Sequence, residues 1–396
     1  MPRTIAPLLQ AAATLALLAN VPVRAADEPV SPPVLARIGE RMEFFVRDHE
    51  ISGAVTLVAT PDRIVHLEAN GLANIANNRP MRPDTIFWIA SMTKPTTATA
   101  VMMLQEEGKL SVEDPVSKYI PEFADLKTAD GKPARITIRH LLTHTSGLSE
   151  FRPGVARKVK VLADAIPLYV DRPVRYEPGS KWVYCQSGIN TAGRIIEVVS
   201  GISFDRFLEE RLFRPLGMKD TAFYLNDQQT SRVAMTYAKT EGKLVPTDED
   251  LLAGHNPTHR DRFPAANGGL YSTAPDYARF CQMILNHGEL DGHRYLKPES
   301  VEQMTTLQTA DLETGFTPGN GWGLGWCVVR HPQGITAMLS PGSFGHGGAF
   351  GTQAWIDPVK KRIYILMIQR SNINNSDRSV IRQAFQEESA SALGSP

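Results

Sequence analysis

The stretch FWIASMTKPTTATAVMMLQEEGKL, residues 87–110, sets Ser91 and Lys94 three positions apart at the mouth of a predicted helix. On a helix that spacing puts both side chains on one face, one turn apart. Backbone N–H groups in the first turn have no partner within the helix, so the serine amide can point at a developing oxyanion. A serine hydroxyl at its free pKa is a poor nucleophile. It needs a neighbouring base, or a cation that lowers its pKa, and a partly desolvated lysine can be either. Pro95 suits the first turn, where a missing N–H costs little. Ala98, Val101, Met102 and Gln105 then form one stripe, and Gly108 ends the helix. The apolar lead-in IFWIA favours a desolvated lysine. Taken alone, the pair fits equally well two ordinary residues that open a helix.

The chain around this pair has 396 residues, enough for one large domain or two intimately packed ones. Its composition, 42% hydrophobic and 21% charged, is that of a globular protein. A formal net charge of zero gives no sign of a nucleic-acid surface. The first residues read as an export signal: Arg3 gives a positive start, an apolar run follows, and Val23 and Ala25 stand at the small-residue positions before a cut at Ala26. Residues 1–25 would then be removed and the product would be periplasmic or secreted, without stable membrane insertion. The alternative, an uncleaved anchor, is weakened by Pro7, Gln10 and Asn20. No cysteine lies near the cut to carry a lipid. Cys185, Cys281 and Cys327 are few for an exported chain, and their odd number leaves at least one free thiol. They form no metal-type cluster, so stability must come from an apolar core rather than a disulfide framework.

Periodicity suggests an α+β fold. PPVLARIGERMEFFVRDHE has helical spacing, and GAVTLVAT and RIVHLEANGLAN read as strands joined in a hairpin across Pro61 and Asp62. The middle is helix-rich: TIRHLLTHTSGL, GINTAGRIIEVVSG, SFDRFLEERLFRPLG and APDYARFCQMILNHG, with Gly147, Gly201, Gly217 and Gly288 near their ends. GWGLGWCVVR, GGAFGTQAWIDP and KRIYILMIQR then look like successive antiparallel strands, the last two joined at Asp357–Pro358. DRSVIRQAFQEESASAL is a closing helix. The expectation is one catalytic domain over 26–396, with an antiparallel sheet built from both chain ends and flanked by helices (about 26–90 and 275–396) and a mainly helical lobe over about 91–274. The site should fall in the groove between them. His140 and His144 have the spacing of a metal pair, but no glutamate follows His140 and no third ligand is apparent, so both read as structural. Cys185 has no evident histidine partner and reads as a small packing residue. No G-x-S-x-G elbow is present.

Two further stretches bear on Ser91. EPGSKWVYCQSGINTAGRIIEVVSG places Tyr184, Cys185 and Gln186 in a turn before a helix, and FGHGGAFGTQAWIDP places His346, Gly347 and Gly348 at the start of a strand. Together with FWIASMTK, these resemble the three signature motifs of the serine β-lactamase-related superfamily, which includes class C β-lactamases, DD-peptidases, D-aminopeptidases and family VIII carboxylesterases. The resemblance runs from about residue 34 to 385 and implies the superfamily's fold, with no metal and no cofactor. It implies Ser91 as the acylated nucleophile, Lys94 as the group that moves its proton, and Tyr184 as the relay to the leaving group. Gly347 and Gly348 would let substrate lie flat against the strand, and the Ala349 amide would join that of Ser91 in an oxyanion hole. Two positions depart from the pattern. Gln186 stands where the second motif usually has asparagine, and His346 where class C β-lactamases have lysine. Both changes cut against β-lactam turnover and leave ester hydrolysis possible. The implied function is therefore an exported serine hydrolase on small esters. The alternatives are a D-aminopeptidase or DD-peptidase, a weak class C-like β-lactamase, or a non-catalytic cell-wall or ligand-binding protein. Phe344, Phe350 and Trp355 fit an acyl pocket or the core equally well.

Overall fold

The computed structural model describes residues 35–391 other than 153, 248–256, 316 and 374–377, together with Met1. Met1 aside, the expected export segment lies outside the described residues. The apolar run at 53–59 forms a strand, Gly53–Ala59, whose seven residues are all buried. A strand covered on one face alternates buried and exposed; one covered on both does not. Here Val55, Leu57 and Ala59 join the large central core, while Ala54 and Val58 pack with Ile38, Met42 and Phe45 of the helix Ala36–Arg47 and with Ile381 and Phe385 of the helix Val380–Ser391.

The main sheet has eight strands, in the spatial order Asn320–Trp322, Cys327–Val329, Phe344–Gly347, Gln353–Asp357, Arg362–Met367, Gly53–Ala59, Ile64–Asn74 and Arg79–Pro80. Every pairing is antiparallel. The N-terminal hairpin docks directly on the last strand, with Val55 opposite Met367 and Ala59 opposite Ile363. Both chain ends thus build one sheet, and the two terminal helices pack on the same face of it.

Four local features differ from the sequence reading. GWGLGWCVVR is a tight hairpin rather than one strand: Trp322 pairs with Cys327, and Gly325 turns the chain at φ +75°. His346 lies near the end of its strand, Phe344–Gly347, because a turn over 348–352 separates it from Gln353–Asp357. The helix in TIRHLLTHTSGL is only Ile138–Leu142. Thr137 and His140 cap its start reciprocally, and His144 leaves the helical region at φ +60° with its ring bonded to the backbone of Cys185.

The fourth difference concerns the helix after Ser91. Thr93–Glu106 carries no amphipathic stripe, since every residue from Thr93 to Leu104 is buried. It runs through the middle of the molecule, against the helices Gln186–Ser200, Phe204–Leu208 and Pro298–Thr305. Its buried threonines remain satisfied because their hydroxyls donate to carbonyls: Thr96 to Thr93 O at 2.7 Å, Thr97 to Ala266 O at 2.8 Å and Thr99 to Pro95 O at 2.9 Å. The Trp322–Cys327 turn packs onto the first turn of this helix. A Cβ on Gly325 would lie 2.7 Å from the Ala98 Cβ and 3.1 Å from the Lys94 carbonyl oxygen. Gly325→Ala, strained in φ and overpacked against the helix, is expected to destabilise the protein by about 1–3 kcal/mol in urea unfolding; an unchanged midpoint would show that the turn can move away without cost.

Candidate active site

Ser91 sits in a single 3₁₀ turn, Ala90–Met92, ahead of the buried helix. The turn is held from several sides. Phe87–Trp88 pairs with Tyr271–Ser272, and Ile89 N donates to Leu270 O at 3.0 Å. Thr93 Oγ1 donates to Ala90 O at 2.7 Å, and Tyr277 Oη donates to Met92 O at 2.9 Å. Ala90 itself adopts φ +45°, uncommon for a residue with a Cβ. These fastenings fix the serine at the cavity wall, with its amide in the part of the turn where intrahelical partners are lacking.

Lys94, one turn on, is fully buried. Its Nζ lies 3.0 Å from Ser91 Oγ, donates to Asn267 O at 2.6 Å, and stands 4.7 Å from the centroid of the Tyr184 ring. Burial disfavours the ammonium and pushes its pKa down to about 7, an effect opposed by the Glu150 carboxylate. Near neutral pH the amine is therefore substantially uncharged and can accept the serine proton. Tyr184 is half-buried in the extended segment before the helix Gln186–Ser200. Its ring meets His144 at 4.5 Å, Trp322 at 6.0 Å and His346 at 6.2 Å between centroids.

Gln186 is the first residue of its helix. Its Oε1 accepts from Asn267 Nδ2 at 2.9 Å, so one asparagine holds both Lys94 and Gln186. Glu150 caps the same helix: Oε1 accepts from Gln186 N at 2.5 Å and Oε2 from Ser187 N at 3.1 Å. Burial raises the Glu150 pKa despite those bonds. Cys185 is a buried N-cap whose sulfur accepts from Gly188 N, and burial pushes its thiol up to about 11, unlike an activated nucleophile.

On the facing strand, His346 Nδ1 donates to Gly347 O at 2.7 Å. Burial first, and then the nearby Lys94, push its pKa down to about 3, so the ring is neutral at physiological pH. The glycines after it answer to the interior rather than to substrate alone. A Cβ on Gly347 would come within 2.7 Å of Arg382 Nη1, and one on Gly348 within 2.6 Å of Ile89 O. Ala349 opens the turn that follows.

Ser91, Tyr184, Gln186, His346, Gly347, Gly348 and Ala349 all line one cavity of about 500 Å³. Lys94 lies beneath it. Trp322, Cys327, Trp355 and Ile373 supply an apolar wall, and no lysine, arginine, aspartate or glutamate lines it among the described residues. Trp355 is thus a wall residue, while Phe350 packs on Trp88 at 4.8 Å and Phe344 on Trp326 at 5.2 Å between centroids, in the core. Sequence reasoning missed Asn267, Glu150, His144 and Trp322 as neighbours of the site. Asn267 directly precedes the GGLYST segment and Glu150 follows TSGL, but no spacing rule links either to Ser91.

The family model described as Beta-lactamase matches residues 34–388. Penicillin-binding protein 4 of Amycolatopsis lactamdurans is 32% identical over 317 residues, covering 79% of this chain and 79% of that protein. Esterase EstB of Burkholderia gladioli is 29% identical over 352 residues, covering 81% of this chain and 87% of the esterase. Among solved structures, EstCE1, a hydrolase with promiscuous acyltransferase activity, superposes with a TM-score of 0.77 at 24% identity, over 90% of this chain and 98% of that one.

The Glu150 charge favours the Lys94 ammonium, so removing it should lower the lysine pKa and keep the amine neutral to lower pH. The rate at which a fluorophosphonate modifies Ser91 is expected to rise with pH through about 7, and in Glu150→Gln that limb should move to lower pH. A limb that stays in place or moves upward would show that Glu150 does not tune the lysine.

Proposed function

Because the chain belongs to the beta-lactamase family of serine hydrolases, we propose that it hydrolyses small uncharged esters through an acyl-enzyme on Ser91. The observation that carries this reading is the Ser91–Lys94 contact at 3.0 Å beneath a cavity that, among the described residues, has no charged residue in its lining. Neutral Lys94 takes the hydroxyl proton as Ser91 Oγ attacks the ester carbonyl. The amides of Ser91 and Ala349 receive the oxyanion. Tyr184, its ring beside Lys94, passes a proton to the departing alkoxide and then helps to activate the water that releases the acid. An ester asks for nothing more than these groups.

The two departures from the motif pattern support the ester reading. A β-lactam carboxylate would meet a neutral imidazole at His346 instead of a cation. Gln186 still brings a carboxamide to the cavity, but Asn267 already occupies its oxygen. That carboxamide is also the feature favouring the second reading, hydrolysis of a D-amino-acid amide. The name of EstB agrees with the first. Export to the periplasm or medium rests on the N-terminal residues Arg3 to Ala25.

Ser91→Ala is expected to lower p-nitrophenyl butyrate turnover by more than about a thousandfold, with the circular dichroism spectrum unchanged; residual activity above that level would move the nucleophile elsewhere. In steady-state assays of wild type at one pH, kcat/KM for p-nitrophenyl butyrate is expected to exceed that for nitrocefin by at least about tenfold, roughly 1.4 kcal/mol in transition-state binding. Equal values would favour a β-lactamase, and faster release of D-alanine from D-alanyl amides would favour the peptidase.

A further inference from the structure

Arg382 is a buried guanidinium for which the proposed chemistry has no direct use. It lies on the C-terminal helix Val380–Ser391 and is completely shielded from solvent. Its Nη2 donates to Gly348 O at 2.7 Å and to Thr352 O at 2.5 Å, and its Nε donates to Gly351 O at 3.1 Å. Three carbonyls of one five-residue turn therefore converge on one side chain. Within the turn, Gly348 N donates to Thr352 O at 2.7 Å. Past Ala349, Phe350 is held by Arg370 N, which donates to its carbonyl at 2.9 Å, and by the contact of its ring with Trp88.

The peptide between Gly348 and Ala349 is planar and trans, so its C=O and N–H point in opposite directions. The Gly348 oxygen points inward to Arg382. The Ala349 N–H must then point the other way, toward the cavity that Ala349 and Ser91 both line. A cation on the carbonyl also polarises the amide and strengthens its N–H as a donor. Gly347 leaves room for this arrangement, because a Cβ there would collide with the guanidinium. A lysine has one head group and cannot take the place of three bonds in a fixed fork. We infer that Arg382 is the positioning residue of the oxyanion hole: from behind the sheet it fixes the direction of the Ala349 amide. The inference deepens the acyl-enzyme reading and rests on it.

The test compares Arg382→Lys with wild type and with Gln386→Leu, a change at another buried position of the same helix that has no place in the proposed chemistry. Active serine is titrated with a fluorophosphonate, so that kcat on p-nitrophenyl butyrate is expressed per reactive site. Inhibition by phenylboronic acid, which forms a tetrahedral adduct on serine, is measured alongside. In Arg382→Lys, kcat per titrated serine is expected to fall roughly 10- to 100-fold with KM within about threefold, and the boronate Ki to rise by a similar factor, somewhat less than loss of a whole oxyanion-hole donor. Gln386→Leu should match wild type in all three. If the loss lies wholly in a smaller fraction of titratable serine, with kcat per site unchanged, Arg382 is merely structural and the inference falls. A fall in kcat with an unchanged boronate Ki also overturns it. Arg382→Gln, neutral and shorter, is read in the same way should the lysine variant fail to accumulate. If wild type itself is not titrated, the acyl-enzyme reading fails first and takes this inference with it.

Discussion

The molecule is organised around a lysine that has been removed from water. An ammonium in a buried site is costly unless it is paired, and the usual relief is loss of the proton. Lys94 has the Asn267 carbonyl and the Ser91 hydroxyl within hydrogen-bonding distance, and the Tyr184 ring beside it. Nothing there neutralises it fully, and its pKa drops to about 7. That value is useful to a general base near neutral pH. It depends on a helix buried on every side, which in turn depends on a sheet on one flank and helices on the other.

The same electrostatic logic extends outward from the lysine. Its residual charge helps keep His346 and His144 neutral, and burial does more. Among the described residues, the cavity above therefore presents amides, rings and hydroxyls without formal charge. Glu150, the nearby carboxylate, is occupied as the cap of the Gln186–Ser200 helix. One anion thus serves two roles, satisfying orphan amides and tempering the depression of the Lys94 pKa.

Glycine and arginine meet at the back of the site. Gly347 and Gly348 could be read as making room for substrate on the open side of the strand. On the closed side they also make room for Arg382, Ile89 and Thr352. A side chain at either position would disturb the turn over 348–352. The requirement for glycine is set by both faces of the strand at once.

Much of this was legible in the chain. Strand-like apolar runs toward both chain ends, each flanked by a helical segment, and helical periodicity between them pointed to the α+β architecture and the shared sheet. Three short motifs picked out Ser91, Lys94, Tyr184, Gln186, His346 and the glycines, which the fold brings to one cavity. Local spacing could not show that the helix after Ser91 is buried all round, because its threonines look like surface residues until their hydroxyls find carbonyls. Nor could it show that GWGLGWCVVR folds back on itself at Gly325. Asn267, Glu150 and Arg382 carry no motif of their own. Their distances in sequence from the residues they hold (Asn267 is 173 positions from Lys94) leave no periodic trace. The sequence by itself determined which groups can do chemistry, since that is a property of the side chains. Tertiary structure alone decided the burial that depresses the lysine pKa and the side to which the Gly348 carbonyl turns, because both depend on partners that only folding brings together.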